Sequence, residues 1–191
     1  MTFPELNKKF DNVVKDLTSN YNGTIMVRLG AEAKRMIFDR VHGTGTNAQG
    51  QKYAPYSTKP TLIGNKTFAF GYSSAAVLGS KPKRKLLEWR TVNGHRLAIL
   101  PGGYKKIREL ENRQTAFVDF SVTQRMWDNI GVIKHTNNSV TIGAKEQKEK
   151  DKLKGNTERR GEILDLSEKE IGILKNTYGL SVLQIFKNHG L

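Results

Sequence analysis

Residues 86–100 have the sequence LLEWRTVNGHRLAIL, in which two apolar-rich runs flank the dipeptide Asn93-Gly94. Asn and Gly both tolerate the positive φ angles of a two-residue type I′ turn. This dipeptide between two such runs is therefore a strong local signal for a β-hairpin. The stretch predicts two antiparallel strands joined by a tight turn.

A second hairpin is predicted between Gly131 and Ile142. Its two short apolar runs flank the residues Thr136-Asn137-Asn138, and Asn is favoured in turns because its side chain bonds the neighbouring backbone. The central part of the chain is therefore expected to supply the strands.

Helices are predicted towards both ends. Apolar residues recur at steps of three and four from Phe3 to Leu17, and again from about Thr24 to His42, which is the spacing of one helical face. The second helix could instead begin as a short strand, because Ile25-Met26-Val27 is a continuous apolar run.

The last helix has a clear start signal in Ser167 and Glu170, which together form a capping box. Its apolar face is expected to continue through Ile171, Leu174 and Tyr178, and Gly179 is expected to bend or split the helix before Leu180, Leu183 and Phe186.

Three shorter helices are also predicted. One covers Tyr104 to Leu110, and one covers Val122 to Ile130 with Ser121 as its N-cap. The third covers Lys145 to Lys154, where lysines alternate with acidic residues as on a solvated helix, and it is interrupted by Gly155-Asn156.

Together these elements predict an α+β fold, with antiparallel β-hairpins forming a small sheet packed by N-terminal and C-terminal helices. We expect one domain over 1–191. Within it, 58–85 is predicted to be a long irregular loop or insertion, because residues 43–82 are rich in Gly, Pro, Ser, Thr and Asn.

The composition excludes several kinds of chemistry. The 191 residues include no cysteine, so neither a disulfide nor a thiolate site can form. No apolar run approaches the length of a membrane span, and we expect no signal peptide at the N-terminus. The net charge of +14 favours a phosphate backbone, an anionic membrane or an acidic protein as partner.

Tests for catalytic and ligand-binding motifs are negative. Residues 45–52, GTNAQGQK, resemble a phosphate-binding loop, but Gln51 separates Lys52 from the second Gly, and Tyr53 stands where Ser or Thr is required. The four histidines are scattered, and no nucleophile motif occurs in a supporting context. Four carboxylates are each explained more simply by a cap, a turn or a surface pair: Asp119, Asp128, Glu162 and Asp165. We expect neither an enzyme nor a bound cofactor or metal.

The strongest basic run is Lys81-Pro82-Lys83-Arg84-Lys85. Such a run can follow a phosphate backbone, although a solvated loop or a contact to an acidic protein is the simpler explanation.

Three stretches together resemble the phage virion-morphogenesis or tail-completion proteins, which are also called neck or head-tail joining proteins. The first is 45–57, GTNAQGQKYAPYS, which is similar to the family's Gly, spacer, Gly, aromatic, Pro and Tyr-Ser pattern. The second combines Tyr104-x-x-x-Arg108 with Val118-Asp119-Phe120 and Thr123-x-x-Met126, although Gln124 stands where the family usually has Gly and Phe120 where it has Leu. The third is 160–170, RGEILDLSEKE.

The resemblance implies a structural protein of the virion, present in the host cytoplasm during assembly. It implies a ring of identical subunits, commonly a hexamer, that stops growth of the tail and docks to the head connector. The implied partners are other copies of the chain, the tail tube protein and the connector or adaptor protein, with possible contact to DNA in the channel and none to a membrane. Terminator and adaptor roles both stay open.

The residues that we expect at interfaces are Gly50, Tyr53, Pro55, Tyr56, Lys83, Arg84, Lys85, Arg108 and Arg160. Aromatic and arginine side chains are the usual anchors of interfaces. Tyr53 and Tyr56 could equally belong to the core, because aromatics beside Pro and Gly often fix loops. A basic nucleic-acid-binding protein is the alternative function.

Overall fold

The computed structural model of the protein describes residues 2–64, 88–110, 112–120 and 124–191. Within these ranges it contains six helices and two antiparallel sheets, which confirms the predicted α+β class. The helices are α1 (Phe3–Thr18), α2 (Asn20–Thr44), α3 (Gly103–Leu110), α4 (Arg125–Asn129), α5 (Gln147–Arg160) and α6 (Glu168–Asn188). The strands are β1 (Thr61–Gly64), β2 (Trp89–Val92), β3 (His95–Leu100), β4 (Ile130–His135) and β5 (Val140–Ala144).

The chain divides into two compact units. The terminal unit joins both ends of the sequence, Met1–Gln51 and Arg125–Leu191, and the central unit is Lys52–Gln124. Each unit has its own sheet and its own buried residues.

The central unit contains a three-stranded antiparallel sheet in the order β1–β3–β2. The hairpin predicted around Asn93-Gly94 is confirmed, with φ angles of 48° and 74° at these two residues, as a type I′ turn requires. The inner face of the sheet packs on α3, and the shared buried cluster consists of Ile63, Ala98, Leu100 and Ile107.

Part of the predicted loop 58–85 is a strand. β1 pairs with β3, Thr61 opposite Leu100 and Gly64 opposite Leu97, and Ile63 is fully buried. The long-range pairing with β3 is the reason, since the local sequence of β1 is too short to signal a strand. The rest of the predicted loop, from residue 65, lies outside the described residues.

In the terminal unit, helix α2 packs against the second hairpin, β4–β5. This hairpin is also confirmed, with Ile130 opposite Ala144 and His135 opposite Val140. The approach of α2 is close at Gly30, where an added Cβ would lie 2.6 Å from a methyl group of Val140. A residue without a side chain is therefore needed at this position.

Helices α1 and α6 also pack on α2. Val13, Ile25 and Ile185 form their common buried cluster. α2 is helical from Asn20, so the alternative strand start at Ile25 is wrong. Ile25 is buried on the helical face that also buries Ala33 and Ile37, so the apolar run contributes to a helical core.

Several predicted helix limits differ from the observed ones. α5 continues through Gly155 to Arg160, and α6 runs unbroken through Gly179. In each case the helix has buried or contacting residues on both sides of the glycine: Glu149 is buried before Gly155 and Asn156 contacts Met126 after it, and Tyr178 and Ile185 flank Gly179 on the buried face. Tertiary packing therefore overrides the low helix propensity of glycine.

Two of the other helix predictions have different outcomes. α4 is shorter than predicted, because Ile130 already belongs to β4, and its predicted N-cap, Ser121, lies outside the described residues. The capping box of α6 is confirmed: the Ser167 side chain accepts a hydrogen bond from the Glu170 N–H, and the Glu170 carboxylate accepts one from the Ser167 N–H.

Candidate functional site

The glycine-rich loop after α2 is closed by one asparagine. The Asn47 side-chain oxygen accepts hydrogen bonds from the backbone N–H groups of Gln49 and Gln51, at 3.1 and 2.9 Å. The Gly50 N–H donates to the Asn47 carbonyl, and Gly50 has a φ of 77°. The N–H groups that would cradle a phosphate are thus bonded to Asn47, which is a turn motif.

The central unit contains a buried polar cluster built from two of the motifs described above. The Tyr56 hydroxyl donates to Asp119 Oδ1 at 2.8 Å and accepts from the Asp119 N–H at 3.1 Å. Arg108 donates to Asp119 Oδ2 at 2.8 Å, and its side chain is only 2% exposed. Tyr56 and Arg108, which lie 63 and 11 positions from Asp119 in the sequence, therefore both bind its carboxylate.

Gln114 completes the hydrogen bonding of this cluster, which we call the Tyr56–Arg108–Asp119 cluster. Its side-chain N–H groups donate to Asp119 Oδ2 and to the backbone carbonyl of Phe117, and its backbone carbonyl accepts from Arg108 Nε at 2.9 Å. A charge in this position is tolerated only because it is paired and hydrogen-bonded. The cluster joins α3 to the segments on either side of it.

Aromatic rings surround the charged pair. The Arg108 guanidinium lies 4.5 Å from the centre of the Tyr56 ring, which is a cation–π distance, and the Tyr56 and Tyr104 ring centroids are 5.4 Å apart. Burial, together with the hydrogen bond to Asp119, raises the pKa of the Tyr56 hydroxyl. The phenol therefore remains a proton donor throughout the physiological range.

Gly103, at the start of α3, lets the loop segment around Tyr56 approach the helix. Its φ is 60°, and an added Cβ would collide with the backbone oxygens of Lys59 and Ser57. The Lys105 N–H also donates to the Ser57 carbonyl at 3.0 Å. Two backbone segments thus meet with no room for a side chain.

The third motif, at the end of α5 and the start of α6, is held by Arg40 of α2. Arg40 donates to Glu170 Oε1 at 3.0 Å and to the carbonyls of Thr46 and Asp165, each at 2.7 Å. Burial opposes ionisation of Glu170, but the hydrogen bonds from Ser167 and Arg40 outweigh it and lower the pKa of this carboxyl.

The expected interface residues have different surroundings. Tyr53, Tyr56 and Arg108 are buried in the central unit, and the Tyr53 and Phe120 ring centroids are 4.8 Å apart. Their burial favours the core alternative for both tyrosines, and Arg108 is likewise an interior residue.

The remaining expected residues lie nearer the surface or beyond the described part. Gly50 and Pro55 are exposed, and Arg160 is half-buried at the end of α5. Lys83, Arg84 and Lys85 lie outside the described residues.

Sequence reasoning missed the buried charges. Asp119 is neither a cap nor a surface carboxylate but the buried partner of Arg108. Glu170 was identified as a capping residue, yet its pairing with Arg40, 130 residues earlier, carries no local signal. The only hint of a buried pair was that Val118-Asp119 follows Tyr104-x-x-x-Arg108 closely in the sequence.

In the described part of the chain, no group of three or more His, Cys, Asp or Glu side chains is arranged to hold a metal ion. Among the helices there, none combines the length and apolarity needed to cross a membrane. Comparison of the chain with protein-family models, with curated proteins and with solved structures gives no match.

Proposed function

We propose that the chain is a structural protein of a tailed phage, which completes the tail and joins it to the head connector as a ring of identical subunits. The proposal comes from the three sequence stretches that resemble the tail-completion family. Terminator and adaptor are both compatible with these stretches.

One observation carries the proposal. Tyr56 comes from the first stretch, and Tyr104, Arg108 and Asp119 come from the second, yet all four side chains meet in the Tyr56–Arg108–Asp119 cluster. Two unrelated chance matches would have no reason to come together in space. Their meeting is what residues of a shared core motif require, and it supports the resemblance of the first two stretches.

The surface of the terminal unit supports a role in assembly. Several large apolar side chains are exposed there, among them Phe3, Phe10 and Val14 on one side of α1. Apolar side chains arranged together on a surface indicate sites of protein contact. The net charge of +14 fits acidic neighbours, since opposite surface charges accelerate correct association.

The test is electron microscopy of particles from a phage that carries this gene, with the gene deleted. We expect full heads beside unattached tails, and restoration of joined particles when the gene is supplied in trans. Overgrown tails would identify a terminator, and tails of normal length an adaptor. Intact infectious particles from the deletion strain would refute the proposal.

The alternative function is nucleic-acid binding, which the net charge and the Lys81–Lys85 run favour. It predicts binding to random-sequence DNA with an affinity that falls steeply as salt rises, because bound counterions are released. A filter-binding titration at several salt concentrations measures this. No binding at moderate salt would exclude it.

A further inference from the structure

Helix α6 has an apolar side that faces away from the protein core. Ile173, Leu180 and Leu183 are 38%, 68% and 56% exposed. At 3.6 residues per turn they lie along one side of the helix, whereas Ile185 is buried against α1 and α2 on another. We call these three residues the α6 stripe.

Two glycines border the α6 stripe, and no contact with the described residues explains them. Gly172 and Gly179 are interior helix positions, where glycine is less stable than alanine. A Cβ added to either would meet no atom within 4 Å. Gly30 and Gly103 differ, because neighbouring atoms occupy the space of their absent side chains. Glycines at the stripe leave the α6 backbone open to close approach by another helix.

Lysines lie at both ends of the α6 stripe. Lys169 and Lys187 fall on its side of the helix and are exposed. Lys187 is in the last turn of α6, where the helix dipole favours a positive charge, but Lys169 is in the first turn, where the dipole disfavours one. The position of Lys169 is therefore not explained by the stability of the helix, and it indicates an acidic group on whatever binds this surface.

The two lysines argue against a second copy of this chain as the occupant. In an antiparallel pair of α6 helices, Lys169 would face Lys187 of the other copy, and in a parallel pair each would face itself. Both arrangements bring like charges together, and the net charge of +14 adds to the repulsion. Acidic residues at both ends of a partner helix would instead complement the surface.

We propose that the α6 stripe is a docking surface for an amphipathic helix of another protein, which carries an apolar stripe with acidic residues at both ends. The span from Lys169 to Lys187 is about 27 Å, which matches a partner helix of about five turns. Apolar anchors at intervals of three, four and seven residues are the usual mode of such recognition. This inference rests on the proposed function, because it describes the chemistry of one partner in the proposed assembly.

Binding of two synthetic helical peptides to the full chain tests the proposal by fluorescence anisotropy. Both have the same apolar stripe and about 20 residues, and one has glutamates and the other lysines at its two ends. We expect the acidic-ended peptide to bind and the basic-ended one to bind at least about tenfold more weakly. Raising the salt concentration should reduce this difference.

Variants locate the binding site. Leu180→Gln and Gly179→Leu should each weaken binding of the acidic-ended peptide at least about tenfold. Leu180 is exposed, and the space beside Gly179 is empty. Gln has about the same helix propensity as Leu, and Leu has a higher one than Gly. Both variants should therefore retain the fold. Gly155→Leu is the matched control, because Gly155 is also an interior helix glycine with open space around it, and it should leave binding unchanged.

Three outcomes would overturn the proposal. The first is equal binding of both peptides, and the second is unweakened binding of the acidic-ended peptide by Gly179→Leu. The third is a dimer in sedimentation that Leu180→Gln dissociates, because a second copy would then be the occupant. Failure here is separate from failure of the proposed function. A chain that binds neither peptide can still join heads to tails, and the deletion phenotype tests that independently.

Discussion

The guanidinium of Arg108 is buried and pairs with the Asp119 carboxylate at 2.8 Å. Removing one partner of a buried ion pair leaves an uncompensated charge in a region without water, which is far more costly than losing an exposed pair.

Asp119→Asn is therefore expected to lower the free energy of unfolding by about 3 kcal/mol, because it keeps the shape of the side chain and removes its charge. Urea unfolding measures the loss. Glu109→Gln is the control: it breaks the exposed Lys106–Glu109 pair and should cost less than about 1 kcal/mol. Equal effects of the two substitutions would show that the buried ion pair contributes no more to stability than the exposed one.

Gly103→Ala should destabilise the chain more than Gly50→Ala does. Both glycines have positive φ, 60° and 77°, so both substitutions carry a strain of about 1–2 kcal/mol. Only at Gly103 would the new Cβ also collide with backbone atoms, which cannot move as a flexible side chain can. Thermal unfolding of the two variants gives the comparison, and a larger loss for Gly50→Ala would contradict it.

At the scale of single residues, the sequence drew attention to Tyr56 and Arg108 but did not indicate that both are buried. Tyr56 and Arg108 stand in recognisable motifs, and their types suit both interfaces and cores. Whether Tyr56 and Arg108 are buried depends on Asp119 and Gln114, which meet them only in the folded chain. No local pattern contains that information.

Among the elements, α6 depends most clearly on ionisation, through its capping residue Glu170. The pKa of this carboxyl is lowered from 4.5 in the folded chain. A lowered folded-state pKa means that the ionised group contributes stability above the unfolded value, and that this contribution is lost as pH falls through the folded value.

Glu170→Gln should accordingly lower the free energy of unfolding by about 1–2 kcal/mol at pH 7, and the difference from the unmodified chain should shrink as pH falls below 4.5. Denaturant unfolding at a series of pH values measures this. Glu168→Gln, an exposed first-turn residue of the same helix, is the control and should show a change of only a few tenths of a kcal/mol. A difference for Glu170→Gln that stays constant with pH would contradict the expectation.

Both hairpins and the starts of α1, α3 and α6 could be predicted, because turn dipeptides and caps are local signals. The ends of α5 and the continuity of α6 could not. Gly155 and Gly179 carry a local preference against helix, and contacts of residues elsewhere on those helices outweigh it. β1 escaped prediction for a related reason, since its partner strand begins 31 residues after β1 ends.

For the whole molecule, the α+β class could be predicted from the types of element alone, whereas the division into two units could not. It depends on contacts between α1 and α6, which are separated by most of the chain.

The two tryptophans allow each unit to be followed separately, since Trp89 lies in the central unit and Trp127 in the terminal unit. In a Trp127→Phe background, Trp89 fluorescence reports the central unit, and in a Trp89→Phe background, Trp127 reports the terminal unit. Adding Asp119→Asn should shift the urea midpoint reported by Trp89 more than the midpoint reported by Trp127. Identical shifts would mean that the whole chain unfolds in one cooperative step.

The interleaved order of the two units has a consequence for synthesis on the ribosome. α1 and α2 emerge early, but α6, which completes their buried cluster, is made after every other described element. The central unit, by contrast, is contiguous and can fold as soon as its last residue leaves the exit tunnel. The usual order, in which the N-terminal part folds first, is thus reversed, and nascent α1 and α2 must wait with Val13 and Ile25 uncovered until α6 has been synthesised.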